Sequence, residues 1–141
     1  MKQSPLKVFF DADVIISASF LQSGASFILL QLSELGFIKG YISKQVLEES
    51  QRNIQNKLPS ALPVFKEILN TSKLKIISPT EDEIKSVFSN AHKKDVPILA
   101  AALHSQAEHL TTFNIKDFYP SSDHNIKIAK PSEITKIIGK G

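Results

Sequence analysis

Acidic and amide side chains follow several apolar segments in this 141-residue sequence. Asp11 and Asp13 stand directly behind the run "KVFF", in the stretch "VFFDADVIISA". The other members of the set are Glu48, Glu49, Asp95, Asn114 and Asp117. If the carboxylates met at one edge of a sheet, each pair ~4 Å apart would repel by about 4 kcal/mol at an effective dielectric constant of ~20. A divalent cation relieves such repulsion, and oxygen ligands favour Mg²⁺ or Mn²⁺.

A metal ion held in this way could hydrolyse phosphodiesters. It lowers the pKa of a bound water, and it neutralises the charge that builds up on the phosphorane oxygens. No histidine base is then required, and the four histidines share no spacing that is typical of a metal or catalytic site. The glycines form neither a G-x-S-x-G motif nor a phosphate-binding loop, so serine-nucleophile and P-loop chemistry are not indicated.

Each acid also has a purely structural interpretation. Asp11 and Asp13 could cap a short helix over residues 14–19, and Asp95, two residues before Pro97, is placed like a helix N-cap. The remaining acids could be solvated helix residues or turn residues: Glu48, Glu49 and Asp117. Helical periodicity does not choose between Glu48 and Glu49, because both flank the same apolar stripe. The metal site therefore depends on all the acids converging.

Composition limits the classes of protein to consider. The chain is 42% hydrophobic and 22% charged, which is typical of a globular fold, and its length predicts one domain over residues 1–141. Cysteine is absent, which excludes disulfides and thiolate metal sites. The absence of cysteine also fits a cytoplasmic location, and we expect no membrane partner because no apolar run is long enough to span a bilayer. The net charge of +3 and pI of about 9.1 permit a polyanionic partner without requiring one.

Strand and helix patterns alternate along the chain and would position the acids. The predicted strands are "KVFF", "FIKGYI", "KLKII", "HLTTF" and "IKIA". The predicted helices are "ASFILLQLSELG", "SKQVLEESQRNIQNKL" with Ser43 as N-cap, "ALPVFKEILN", "TEDEIKSVFSNAH", "DVPILAAALHSQAE" and "PSEITKII". This order predicts a three-layer α/β/α sandwich around a mainly parallel sheet of four to five strands. In such sheets the functional site forms at the carboxyl ends of the strands.

Two early segments resemble the PIN-domain family of metal-dependent ribonucleases. "VFFDADVIISA" is similar to the family's opening strand followed by D-[ST]-N-[VI]-[LI]-[IVL]-S. "ISKQVLEESQRNI" is similar to its S-x-x-[IV]-L-x-E-[LF] helix. The second match selects Glu49, rather than Glu48, as the family's acid.

Later segments extend the resemblance in the family's order. "KKDVPILAAAL" is similar to K-D-x-x-[IL]-A-A-A and indicates Asp95. "HLTTFNIKDFYP" is similar to L-[VI]-T-x-[DN]-x-x-D-[FL] and indicates Thr112, Asn114 and Asp117. "IKIAKPSEI" is similar to the closing strand followed by P-x-E-[FI], so the resemblance covers residues 6 to about 138.

The resemblance implies hydrolysis of RNA by a Mg²⁺- or Mn²⁺-activated water. The implied metal ligands, direct or through water, are Asp11, Glu49, Asp95 and Asp117. Asn114 would orient water or a ligand carboxylate, and the hydroxyl of Thr112 would steady its loop. Basic residues near these positions could hold RNA phosphates or be ordinary solvated side chains: Arg52, Lys93, Lys94 and Lys116.

The resemblance extends to the branch of the family that contains toxins of toxin–antitoxin pairs, through the stretch "SASFLQSGASFILLQLSELGFIKG". It implies an antitoxin partner and pairing into a homodimer. Two residues depart from the family pattern. Asp13 replaces the usual Asn and could add a carboxylate or hydrogen-bond the turn, and the neutral Asn114 stands where many members carry Asp.

Two other functions remain open. "FFDADVI" also fits the D-x-D-x-[TV] motif of haloacid-dehalogenase-like phosphatases, in which Asp11 would be the nucleophile and Asp13 a general acid. That chemistry requires a later paired-acid loop, whereas the pair Glu81–Asp82 is predicted to begin a helix. Alternatively, the neutral Asn114 would fit a catalytically weak module that only binds RNA or protein.

Overall fold

The computed structural model describes residues 4–140, which form a parallel sheet and seven α-helices. The strands are β1 (Leu6–Phe10), β2 (Ile38–Ser43), β3 (Lys75–Ile77), β4 (His109–Thr111) and β5 (Lys127–Ala129). The helices are α1 (Ala12–Phe20), α2 (Ala25–Glu34), α3 (Lys44–Lys57), α4 (Leu62–Thr71), α5 (Glu81–Ser86), α6 (Val96–His104) and α7 (Pro131–Lys140). Short 3₁₀ turns lie at Pro59–Ala61, Lys93–Asp95 and Ile115–Asp117.

The five strands are parallel and lie in the order β3-β2-β1-β4-β5. Because crossovers between parallel strands are right-handed, α1 to α4 cover one face of the sheet and α5 and α6 the other. The central strand β1 ends on Val8, Phe9 and Phe10, whose side chains are fully buried. The predicted α/β fold with a central parallel sheet is therefore confirmed, and the carboxyl ends of β1 and β4 lie side by side.

Local sequence signals fix most of the helix ends. The backbone N–H of Val46 donates to the hydroxyl of Ser43 at 3.2 Å, as predicted for the N-cap of α3. A capping box between Thr80 and Glu83 begins α5. Gln106, with a positive φ of 61°, follows the end of α6 at His104, so this helix is shorter than the pattern through residue 108 predicts.

The prediction that α5 continues to His92 is wrong. The helix ends at Ser86, and none of its residues is buried. The segment beyond it pairs with a distant part of the chain, because Tyr119 N–H donates to the carbonyl of Asn90 at 2.8 Å and His92 N–H donates to the carbonyl of Asp117 at 2.7 Å. These non-local bonds replace the helical ones, and they hold the residues before α6 against those after β4.

Among the described residues, no single helix is long and apolar enough to cross a membrane. The bent pair formed by α1 and α2 meets that criterion by length and composition when the two helices are taken together.

Candidate active site

A cleft of about 590 Å³ lies at the carboxyl edge of the sheet and is lined by all the candidate acids except Glu48. The predicted residues that line it are Asp11, Asp13, Glu49, Lys94, Asp95, Asn114 and Asp117. They come from four parts of the chain: the end of β1 with the start of α1, the middle of α3, the start of α6 and the loop after β4. The fold therefore brings together acids that are up to 106 positions apart in sequence.

Asp11 is both a helix cap and a member of the cleft. Its Oδ1 accepts from Ala12 N–H at 2.7 Å, and its Oδ2 accepts from the Thr112 hydroxyl at 2.9 Å. Its own N–H donates to the carbonyl of Thr111 at 3.0 Å, which continues the pairing of β1 with β4. Asp11 can therefore cap α1 and also serve in the cleft. Helix α1 begins at Ala12, two residues earlier than predicted.

Asp13 binds the loop after β4 rather than its own turn. Its Oδ2 accepts from Phe113 N–H at 2.9 Å, from the Asn114 amide at 3.3 Å and from the Thr112 hydroxyl at 3.2 Å. Thr112 is fully buried, and its hydroxyl also accepts from Asn114 N–H at 3.1 Å. We call Asp11, Asp13, Thr112 and Asn114 the bonded side of the cleft, because hydrogen bonds fix each of these side chains.

Three further carboxylates that line the cleft make no side-chain hydrogen bond within the described residues. We call Glu49, Asp95 and Asp117 the free side of the cleft. Asp95 occupies the N-cap position of α6, yet its carboxylate does not cap the helix, so the purely structural interpretation of this residue is wrong. Glu49 is half-buried in the cleft, whereas Glu48 is exposed and lines a separate hollow with Ser43. The structure thus separates the two glutamates that periodicity left equivalent.

Burial, and then the charges of neighbouring acids, raise the pKa of three acids of the cleft. Burial, and then the charge of Asp13, raise the pKa of Asp11 to about 7. Burial also raises the pKa of Asp13. Burial, followed by the charges of Asp117 and Glu49, raises the pKa of Asp95. In the described part of the chain, the only ion pair within 4.0 Å joins Glu83 to His104, outside the cleft. No basic side chain therefore neutralises these acids at contact distance.

The cleft fits a hard divalent cation in its chemistry, but its carboxylates are not gathered into a coordination sphere. Within residues 4–140 no three acidic or histidine side chains are close enough together to hold an ion by themselves. Carboxylate and amide oxygens are the donors that Mg²⁺ and Mn²⁺ prefer, and such ions commonly keep several waters. The acids therefore line one cleft, and their convergence on an ion stays a prediction.

Several residues of the cleft were missed by sequence reasoning. They are Ala12, Ile16, Ser17, Phe20, Leu21, Asn53 and Lys57. A helical spacing of four residues from Glu49 gives Asn53 and Lys57, so this signal was available once Glu49 was chosen. Of the predicted basic residues only Lys94 lines the cleft; Arg52, Lys93 and Lys116 are exposed side chains outside its lining.

The comparisons with known proteins identify the family. A family profile described as "PIN domain" matches residues 7–116, which is most of the chain. The chain therefore belongs to the PIN-domain family, whose members are generally nucleases. This membership decides against the phosphatase alternative, as does the pair Glu81–Asp82, which begins α5 on the surface away from the cleft.

Solved structures share the fold. The crystal structure of PAE2754 from Pyrobaculum aerophilum matches with a TM-score of 0.67 at 13% identity, over 96% of this chain and 97% of that one. VapBC2 from Rickettsia felis, bound to a DNA fragment from their promoter, matches with a TM-score of 0.61 at 21% identity, over 87% and 97%. The comparison with curated proteins finds no significant match.

Proposed function

We propose that this PIN-domain protein is a Mg²⁺- or Mn²⁺-dependent endoribonuclease. The observation that carries the proposal is the cleft itself, in which five carboxylates face one another without a basic side chain at contact distance. A cation bound in the cleft would offset this charge, and burial already raises the pKa of Asp11, one of the five, to about 7. A bound divalent ion would activate a water for attack on a phosphodiester.

Each of these residues would have a separate role in binding the ion or in positioning its ligands. Asp11, Glu49, Asp95 and Asp117 would hold the ion, directly or through water. Asn114 would orient one of these waters with its amide, which already donates to Asp13 at 3.3 Å. The Thr112 hydroxyl would keep the Asp11 carboxylate in place at 2.9 Å.

A role as the toxin of a toxin–antitoxin pair is part of the proposal. The structural likeness to VapBC2 supports it. An antitoxin would then be the protein partner, RNA the substrate and the cytoplasm the site of action. We extend the proposal to a homodimer, the association common in this family.

The experiment is cleavage of labelled RNA in Mg²⁺, in Mn²⁺ and in EDTA. The wild type should cleave in either metal and not in EDTA, and Asp95→Asn should lose cleavage while keeping its thermal stability. Asp82→Asn is the matched control, because Asp82 is an exposed acid outside the cleft. Failure of the wild type to cleave any RNA in either metal would overturn the proposal.

A binding module without catalysis is the second candidate. The observation that favours it is Asn114, a neutral side chain whose amide is engaged by Asp13 where many family members carry a further acid. RNA binding that persists in EDTA, without cleavage in Mn²⁺ and unchanged by Asp95→Asn, would select this candidate instead of the nuclease.

A further inference from the structure

The amino edge of the sheet, at the opposite end of β2 from the acids, carries a hollow of about 320 Å³. Its walls are the end of α2, the start of β2 and the segment between α4 and β3. Three lysines line it, Lys39, Lys73 and Lys75, and among the described residues no acidic side chain does. We call this space the basic hollow, because its charge is opposite to that of the cleft.

The basic hollow exists because β3 begins later than β2. The register of β2 with β3 starts at Tyr41, whereas its register with β1 starts three residues earlier, at Ile38. Residues 38–40 therefore have a neighbouring strand on one side only, and in the described part of the chain no backbone hydrogen bond joins them to the segment before β3. A strand edge of this kind presents unpaired N–H and C=O groups. The hollow therefore offers backbone donors as well as ammonium groups.

Close packing builds the walls of the basic hollow. A Cβ atom at Gly40 would lie 2.5 Å from Cδ2 of Leu74, so the glycine lets the segment that carries the two later lysines approach β2. The Ser33 hydroxyl donates to the carbonyl of Ser72 at 2.5 Å. This bond ties the end of α2 to the residue before Lys73. The positions of the lysine backbones are therefore set by the fold.

The lysines of the basic hollow repel one another. Register places Lys7 of β1 directly beside Lys39, and it places Lys75 beside Tyr41, two residues further along β2. Like charges in such positions destabilise a sheet. Glu108 accepts from Lys7 N–H at 3.3 Å, but it lies two strands from β2, which is roughly 10 Å. Within the described residues none of the three lysines of the hollow forms an ion pair. An anion bound there would relieve the repulsion.

We propose that the basic hollow binds a small ligand through a diphosphate group. Two phosphate groups carry a charge of about −3 to −4 near neutral pH, which three ammonium groups largely neutralise. Lysine binds phosphate as a point charge, and backbone N–H groups at the open edge of β2 would complete the contacts. The site lies at the other edge of the sheet from the acids, so it does not depend on the proposed nuclease activity.

The shape of the basic hollow favours a small ligand over a peptide or a nucleic acid. Its volume of about 320 Å³ lies at the lower end of the range of about 300–1,000 Å³ that is typical of small-molecule sites. A peptide strand added to β2 would need a longer edge than residues 38–40, since strands usually have about 5–6 residues. A nucleic-acid strand would need cations along a groove, whereas these lysines surround one cavity.

The first test measures binding of labelled pyrophosphate by equilibrium dialysis in metal-free buffer at about 0.15 M salt, where non-specific attraction is screened. Without metal ions the acidic cleft repels this probe. The wild type should bind one pyrophosphate per chain. Lys39→Gln and Lys75→Gln should each bind it about three- to tenfold more weakly. Lys130→Gln, which alters an exposed lysine after β5, is the control. No binding by the wild type, or equal losses in all three variants, would overturn the site.

Lys73 allows a sharper test, because its φ of 58° is a conformation in which glycine is less strained. Lys73→Gly should therefore unfold at the temperature of the wild type or above it, and it should bind pyrophosphate more weakly. A purely structural role at the end of α4, where a cation faces the helix dipole, predicts a lower unfolding temperature with unchanged binding. That result would contradict the site.

Chemical labelling locates the bound ligand. Pyrophosphate should protect Lys39, Lys73 and Lys75 from acylation, measured by mass spectrometry of the peptides, and it should leave Lys130 as reactive as before. Protection of Lys130 to the same degree would show general screening of the surface and would overturn the site.

Competition against labelled pyrophosphate identifies the source of the diphosphate. ADP should compete at least as well as pyrophosphate, and tighter binding of ADP would identify a nucleotide as the ligand. Inorganic phosphate and sulfate should compete about tenfold more weakly or worse, because each carries a single anionic group. Equal competition by sulfate would reduce the hollow to a non-specific anion site. Stronger competition by an RNA oligonucleotide or an acidic peptide would assign it to a macromolecule. Either result would overturn the proposal.

Discussion

The two sides of the cleft are built in different ways. On the bonded side, hydrogen bonds of 2.7–3.3 Å hold the side chains where the central strand β1 and its neighbour β4 end. On the free side, the carboxylates of Glu49, Asp95 and Asp117 have no such partners within the described residues. The side chains of the bonded side are therefore positioned by folding, whereas those of the free side would be positioned by a ligand.

The largest expected effect concerns the free side. Glu49→Gln should reduce RNA cleavage by about 10- to 100-fold or more. A loss of that size is typical when an outer-shell partner is removed from a metal site. The reason is that the amide removes a charge without removing a hydrogen bond of the fold, so thermal stability should not fall. The matched control is Glu48→Gln, on the same helix but outside the cleft. Equal activity of the two variants would remove Glu49 from the site.

The second effect is a dependence of metal-free stability on pH. The folded-state pKa of Asp11, about 7, lies above the ordinary value of 3.8 for this side chain, so the folded protein binds the proton more tightly than the unfolded chain. The stabilisation is complete below about pH 4 and is lost as the pH rises through about 7. In EDTA, the free energy of unfolding should fall by about 2–3 kcal/mol between pH 5 and pH 8.

Denaturant titrations at several pH values measure this dependence. Asp11→Asn, which cannot titrate, should remove most of it, and saturating Mn²⁺ should flatten it because the ion stabilises the charged cleft. A free energy of unfolding that rises over the same interval in EDTA would contradict the assignment of an elevated pKa to Asp11.

The third effect tests the bonded side. Thr112→Val should lower the free energy of unfolding by about 2 kcal/mol, because it removes a hydrogen-bond donor from the buried carboxylate of Asp11 and the acceptor of the part-buried N–H of Asn114. Thr112→Ser keeps the hydroxyl and is the control. Chemical denaturation of the three proteins, at one pH and in EDTA, measures the difference. A valine variant as stable as the wild type would show that the hydroxyl does not hold the loop.

The smallest effect separates the two roles considered for Asp13. Asp13→Asn keeps an oxygen that accepts from Phe113 N–H and removes a negative charge beside Asp11, so stability should change by less than about 1 kcal/mol and cleavage should persist. Asp13→Ala should cost about 1–3 kcal/mol, because it leaves Phe113 N–H without its acceptor. Loss of cleavage in the asparagine variant at unchanged stability would make Asp13 a charge that the reaction requires.

The sequence predicted the sheet well because strand signals are local. Apolar runs of β-branched and aromatic residues mark all five strands, and Ser43 marks the start of α3. The end of α5 could not be predicted in the same way, since Asn90 and His92 are bonded to residues beyond β4 that lie far along the chain.

The acids of the site were predicted from their positions after strands and from the family resemblance. Phe20, which also lines the cleft, was not, because it is an ordinary helix residue in the sequence, whereas Lys57 follows from its helical spacing once Glu49 is chosen. Only the packing of α1 against α3 makes them neighbours of one cavity. The hydrogen-bond partner of Asp13 could not be predicted either, since the loop that Asp13 binds lies 100 positions further along the chain.

The hydroxyl of Thr112 has a single hydrogen and two carboxylates within reach, so it can serve only one of them at a time. Two neighbouring backbone amides are therefore sensitive to the two acids separately. Phe113 N–H donates to the Asp13 carboxylate, and Asn114 N–H donates to the Thr112 hydroxyl, whose hydrogen turns towards Asp11 or away from it. In an NMR titration, the chemical shifts of these two amide protons would report, one for each carboxylate, which acid is ionised and when an ion binds.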